Sequence, residues 1–178
     1  LCDHWRFDED KETLEQWKKY AKLHAKLFPY IYTLAQQAED KGLPMVRHLS
    51  LHYPKDKEAL KQDYQFMLGD RILSAPVITE KEGGARDDIN KGTTSWKVYL
   101  PAGNWYHYWT NKKYVGNATY DMPASPGFLP MFIQEGKIIP TFNKEVDTFV
   151  ENVEDPSIKD FEYVNDSIDI YFYGYGKD

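Results

Sequence analysis

A stripe of mainly apolar positions runs through Leu14, Trp17, Ala21, His24, Phe28, Ile31, Ala35 and Ala38 in steps of three and four, and Leu23, Leu27 and Leu34 widen it. That period is helical. Asp8 and Asp10 mark the start, where carboxylates cap free backbone N–H groups and meet the positive end of the helix dipole. Gly42 followed by Pro44 marks the stop. The pattern predicts one helix over residues 11–41 with a kink at Pro29, whose ring removes a donor and crowds the carbonyl of Ala25. A face carrying Leu14, Trp17, Phe28 and Ile31 needs a large apolar surface to receive it, since burying such side chains contributes about 1.5–3 kcal/mol each.

After Gly42 the pattern changes to short runs rich in β-branched and aromatic residues. Residues 45–53, 71–78, 96–100, 105–110, 128–134 and 168–173 are predicted strands, and 56–66 a short helix. Pro101-Ala102-Gly103-Asn104, Thr110-Asn111-Lys112 and Glu135-Gly136-Lys137 supply turn chemistry between them. Such regular spacing predicts a β-sandwich, and with the helix an α+β fold. The stretch 80–94, with Gly83-Gly84 and Asp87-Asp88, has no apolar period and is expected to be an exposed loop.

Composition adds bounds rather than detail. The 178 residues are 42% hydrophobic and 28% charged, with a formal charge of −6, as in globular chains. A chain of this length buries roughly 70% of its unfolded surface without help from disulfides or metals, and its single cysteine, Cys2, agrees. Residues 143–178 carry a net charge of −7, leaving +1 on the remainder. A neutral body with no basic stripe argues against a nucleic-acid partner, whose phosphates demand clustered Lys and Arg. A membrane partner is not expected either: no run approaches the roughly 18 apolar residues of a spanning helix, and the first residues lack the layout of a signal peptide. The absence of an initiator Met leads us to expect a chain cut from something longer.

Candidate chemistry is sparse. His48 and His52 are four apart, which on a helix is metal-ligand spacing, but in a strand it only places both on one face, and no third ligand is near in sequence. Asp88, Asn90 and Gly92 faintly match a calcium loop without its closing Glu. Cys2 has no flanking signature of a nucleophile. Asn117-Ala118-Thr119 and Asn165-Asp166-Ser167 match the glycosylation acceptor pattern. Sugar hydrolysis needs two carboxylates, about 5–5.5 Å apart in a retaining enzyme, and neighbours such as Asp87-Asp88 point to opposite faces of a strand. No catalytic residue, cofactor or metal site is assigned.

The order of motifs is more informative. Leu27-Phe28-Pro29-Tyr30-Ile31-Tyr32-Thr33, Gly42-Leu43-Pro44-Met45-Val46-Arg47 and Tyr64-Gln65-Phe66-Met67-Leu68-Gly69-Asp70 come first. Ser74-Ala75-Pro76-Val77 and Val98-Tyr99-Leu100-Pro101-Ala102-Gly103-Asn104-Trp105 follow. Tyr108-Trp109-Thr110, Gly127-Phe128-Leu129-Pro130-Met131-Phe132-Ile133 and Gly136-Lys137-Ile138-Ile139-Pro140 complete the series. As an ordered set they resemble the C-terminal part of glycoside hydrolase family 31, the α-glucosidase and α-xylosidase family.

The resemblance implies that residues 1–42 hold the last helix of a (β/α)₈ catalytic barrel, 43–142 the β-sandwich after it, and 143–178 the opening of a second β-domain. It implies that the family's two catalytic aspartates, and its substrate-binding Arg and His, lie upstream of Leu1, and that His4 does not correspond to that histidine. Thr119-Tyr120-Asp121-Met122-Pro123 echoes the nucleophile motif, but it lacks the Trp two before the Asp and the Asn after the Met, so Asp121 is taken as a decoy. The expected function is a non-catalytic C-terminal segment of a retaining α-glycosidase. Its expected partners are the barrel, an α-linked oligosaccharide for the parent enzyme, and further copies of itself through the helix face. A free-standing carbohydrate-binding sandwich, with Trp96, Trp105, Tyr106 and Trp109 as platforms, is the alternative, set against the ordinary use of strand aromatics in cores. A third expectation is an interaction module that uses the helix face for a protein partner.

Overall fold

A computed structural model of the chain describes residues 8, 10–77, 95–124, 128–150, 153–164 and 166–174. The expected loop over 80–94 lies outside them.

The predicted helix is two helices, α1 (Lys11–Lys26) and α2 (Phe28–Lys41). Asp10 is the cap: its Oδ1 accepts from the Thr13 N–H and its Oδ2 from the Thr13 hydroxyl, both at 2.7 Å. At the other end of α1, Leu27 sits at φ −80° and ψ 0°. Its N–H still reaches the Leu23 carbonyl at 3.0 Å, but Pro29 offers no donor to the turn before it, so the expected kink becomes a break. Gly42, at φ +65°, follows the last turn of α2, as its position before Pro44 predicts.

Among the described residues ten strands follow: β1 (Val46–His48), β2 (Phe66–Leu68), β3 (Ile72–Ser74), β4 (Ser95–Leu100), β5 (Asn104–His107), β6 (Lys113–Val115), β7 (Ala118–Pro123), β8 (Met131–Gln134), β9 (Lys137–Phe142) and β10 (Ile168–Tyr173). The strand expected over 45–53 stops at His48, because the His48 ring caps a 3-10 turn, Leu49–Leu51, by accepting from the Ser50 N–H at 3.1 Å. The helix expected over 56–66 is only a 3-10 turn, Ala59–Lys61, and Phe66 already belongs to β2. The predicted strand 105–110 ends at His107, where residues 108–110 turn and Asn111 takes a left-handed φ of 54°. The one expected over 128–134 begins only at Met131, after Pro130, which has no N–H to offer a ladder.

The chain divides into two compact units, Leu1–Gln36 with Ile139–Tyr171, and Gln37–Ile138 with Phe172–Asp178. Within the first, the Phe28 ring lies 4.9–6.1 Å from those of Phe149, Phe142 and Phe161, around buried Val146 and Val164. Aromatic pairs of this kind add about 0.5–1.5 kcal/mol beyond the area they bury. Phe28 therefore leaves the exposed stripe on which the sequence placed it, whereas Leu14 and Trp17 remain 39% and 59% exposed. Lys22 binds Glu145 at 2.7 Å, which brings the acidic region against a basic position of α1.

Within the second unit, a six-stranded sheet in the order β1-β2-β3-β8-β5-β6 faces the two-stranded sheet β4-β7, and the paired registers are antiparallel. Met67, Leu73, Trp105 and Phe132 from the first sheet meet Val98, Leu100 and Met122 from the second in one core. Residues such as Met67, Leu73 and Phe132 stabilise it by about 1.5–3 kcal/mol each. The Trp105 indole N–H donates to the Pro101 carbonyl at 2.8 Å, so its polar end is satisfied despite complete burial. Gly116, before the tight turn from β6 to β7, leaves no space for a Cβ against the carbonyl oxygens of Pro101 and Gly103. The fold is α+β with mainly antiparallel sheets.

A side chain joins the two sheets. Gln65, buried just before β2, donates from Nε2 to the Tyr99 carbonyl at 2.7 Å and accepts at Oε1 from the Tyr99 N–H at 2.8 Å. Gln65→Ala is expected to lower the unfolding free energy by roughly 2–4 kcal/mol, since each buried backbone group left unpaired costs about 1–3 kcal/mol. Equilibrium urea unfolding measures it. Asp10→Ala is expected to cost about 0.5–2 kcal/mol and to reduce helical circular dichroism, while Asp10→Asn retains most of the cap.

Candidate functional site

An open cleft of about 660 Å³ follows the chain from His52 to Glu58, with Ala102 and Asn117 opposite. Past the 3-10 turn the chain folds again, the Asp56 N–H donating to the Tyr53 carbonyl at 3.0 Å. Asp56 Oδ1 accepts from the N–H groups of Glu58 and Ala59 at 3.0 and 3.1 Å, and Oδ2 from the Tyr99 hydroxyl at 2.7 Å. Burial raises the affinity of Asp56 for a proton, but the hydrogen bonds from Tyr99, Ala59 and Glu58 more than reverse that, so its carboxyl lies below its ordinary value. Burial, with Asp56 beside both rings, pushes the Tyr53 and Tyr99 phenols up to about 12. Asp56 is thus a carboxylate held by its own fold.

The same holds for other prominent acids of this unit. Glu135 accepts from Lys113 Nζ and Asn104 Nδ2, both at 2.6 Å, and from the Tyr106 hydroxyl at 3.2 Å. Lys113 foremost, then Asn104, lowers its pKa. Asp70 accepts from Lys137 Nζ at 3.0 Å, and Arg71 Nε lies 3.4 Å from its other oxygen. Burial would raise the Asp70 carboxyl, but Lys137 and Arg71 together leave it lowered. Asp121 is exposed on β7 opposite Lys97, with 3.5 Å between their charged atoms: a surface cross-strand ion pair.

The sequence-singled residues scatter. His48 is exposed and turned to Ser50, whereas His52 is half-buried and contacts Arg47 across 3.3 Å, so the two do not share a strand face. Among the described residues no group of three or more His, Cys, Asp or Glu side chains is placed to hold a metal. Asn117 is exposed in the β6–β7 turn at φ +56°. Cys2, His4, Asp87, Asp88, Asn90, Gly92 and Asn165 lie outside the described residues.

Of the four aromatics considered as platforms, Trp105 is fully buried, and Trp96 is packed against the same core. Trp109 donates its indole N–H to the Leu129 carbonyl at 2.8 Å and meets the Tyr108 ring edge-on at 4.9 Å. Tyr106 is tied to Glu135.

Composition and spacing did not single out Arg47, 3% exposed, beside Val46, 57% exposed. The buried arginine inverts the usual polarity of a strand. It stands at the inward register of β1, between two positions that face out.

Residues 42–139 match the model of the glycosyl hydrolase family 31 C-terminal domain. The isomaltosyltransferase of Sporosarcina globispora is 34% identical over 131 residues, covering 74% of this chain and 11% of that protein. The α-xylosidase of Saccharolobus solfataricus is 33% identical over 152 residues, covering 83% and 18%. Among solved structures, the cycloalternan-forming enzyme of Listeria monocytogenes, in complex with a pentasaccharide substrate, superposes with a TM-score of 0.73 at 31% identity, covering 94% of this chain and 14% of that one. The chain thus spans less than a fifth of the length of each of these relatives. By the match over most of its sandwich, this chain belongs to glycoside hydrolase family 31, through that family's C-terminal domain.

Proposed function

We propose that the chain acts as a non-catalytic C-terminal segment of a retaining α-glycosidase. Residues 1–42 supply the last helix of the catalytic barrel, 43–142 the β-sandwich beside it, and 143–178 the start of a distal β-domain. The observation that carries this reading is where the family match falls: on the C-terminal domain, in a region whose prominent carboxylates are held by donors of their own fold. Retaining hydrolysis requires one carboxyl group to attack and another to protonate the leaving oxygen, at a separation of about 5–5.5 Å. Asp56, Glu135 and Asp70 serve instead as struts, and in this reading both reacting carboxylates come from the barrel.

The barrel is the chain's main partner, and an α-linked oligosaccharide is the parent's substrate, in keeping with the pentasaccharide complex of the Listeria enzyme. Leu14 and Trp17 on α1 provide an apolar contact suited to such a barrel. Where the barrel is absent, the same contact favours association between copies.

Purified residues 1–178 are expected not to hydrolyse aryl α-glucosides or aryl α-xylosides. Turnover that survives rigorous removal of host enzymes overturns the proposal. Replacing Leu14 and Trp17 together with Lys is expected to shift the chain toward monomer in multi-angle light scattering while near-UV circular dichroism of the sandwich is unchanged. Loss of the folded signal in that variant instead assigns these residues to the chain's own core.

A further inference from the structure

A buried cation ordinarily requires an anion, because an unpaired charge taken from water is costly. Arg47 meets this need differently. Its Nε donates to the Pro44 carbonyl at 2.6 Å, one terminal nitrogen to Gln37 Oε1 at 3.1 Å, and the other to His52 Nε2 across 3.3 Å. These three acceptors are neutral, and they come from the loop before β1, the last turn of α2 and the residue after the 3-10 turn. Arg47 therefore ties that last turn of α2 to β1, within one compact unit.

One of the three acceptors is titratable. A guanidinium has only donors, so the Nε2 of His52 that faces it is unprotonated, and the ring's proton sits on Nδ1. The backbone of Gly69, in the turn between β2 and β3, also acts on the ring and favours its protonated form. We propose that neutral His52 is the acceptor that locks Arg47 in place, and that its protonation is an acid-operated release for the last turn of α2. A proton on Nε2 removes the acceptor and sets a second cation against the buried guanidinium.

The surrounding charges determine the direction. Arg47 on β1 and Lys137 on β9 oppose a positive ring, while Asp70, in the Gly69 turn, favours one. Asp70 is itself committed to Lys137 and Arg71, and the Tyr53 ring next in sequence is a neutral phenol. Burial first, then Arg47, lowers the His52 pKa from its ordinary 6.5. The lock's contribution is thus fully present above that ordinary value and disappears as the pH falls through the lowered one.

Histidine and amide NMR of the chain, from about pH 7.5 to about pH 5, tests this, with amide exchange over residues 37–42 as the readout. The expected result is an Nδ1–H tautomer for His52, a midpoint below 6.5, and a rise of roughly tenfold in the opening of residues 37–42 relative to the sheet as His52 titrates. His52→Gln, which keeps an acceptor that does not titrate, is expected to abolish that rise, while the response of buried His107 persists. A midpoint at or above 6.5, or the same acid-induced opening in His52→Gln, overturns the proposal. Should His52→Gln not fold, Gln37→Ala decides: it is expected to open residues 37–42 already near neutral pH with no further acid step, and an acid step that persists refutes the release.

Discussion

The sandwich depends on a single primary amide. In an antiparallel ladder alternate residues turn their N–H and C=O away from the paired strand. Tyr99 on β4 is such a residue, and it lies at the core, where water cannot serve it. Gln65 meets both groups with one side chain, copying the two hydrogen bonds of a neighbouring strand without being one. Because Gln65 adjoins β2 of the six-stranded sheet, the contact sets the separation and offset of the two sheets as well as satisfying a pair of buried groups. The Tyr99 hydroxyl extends the tie to Asp56 and thereby fixes the turn along the cleft.

Much of this was legible in the residues. The cap at Asp10, the stop at Gly42, and the strands around 96–100 and 168–173 follow from local rules, and the structure places them as those rules predict. The misses have a common origin. Strands of three residues, such as β1, β2 and β6, are too short to show a period, and only their hydrogen-bonded neighbours make them strands. The strand expected through Tyr53 failed because the His48 ring competes for backbone donors, a choice that propensity alone does not make. The burial of Arg47 beneath exposed Val46 was illegible for the same reason: its acceptors lie on other elements.

The candidate site reads the same way at a higher level. Charged residues are plentiful, but what they do is decided by what they touch. Asp121 resembles a catalytic motif in text, yet in space it faces Lys97 across a solvent-exposed ladder. Glu135 draws a lysine, an amide and a phenol onto one carboxylate, which braces the turn from β8 to β9. The ordered series of motifs was legible because it consists of packing and turn residues, such as Trp105 and Gly103, whose identities the sandwich geometry dictates.

The break at Leu27 has an effect on how the chain fluctuates. It divides one long rod into segments of 16 and 14 residues, close to the length at which an isolated helix is marginal in water. The two then differ in what holds them. Tyr30 and Leu34 anchor α2 by full burial, whereas α1 has no buried residue and is held by its cap, the Lys22 ion pairs and the packing of half-buried Ala25 on the Phe142 cluster, among other contacts. The hinge thus uncouples a locally melting arm, α1, from the stretch of α2 that buried Tyr30 and Leu34 anchor.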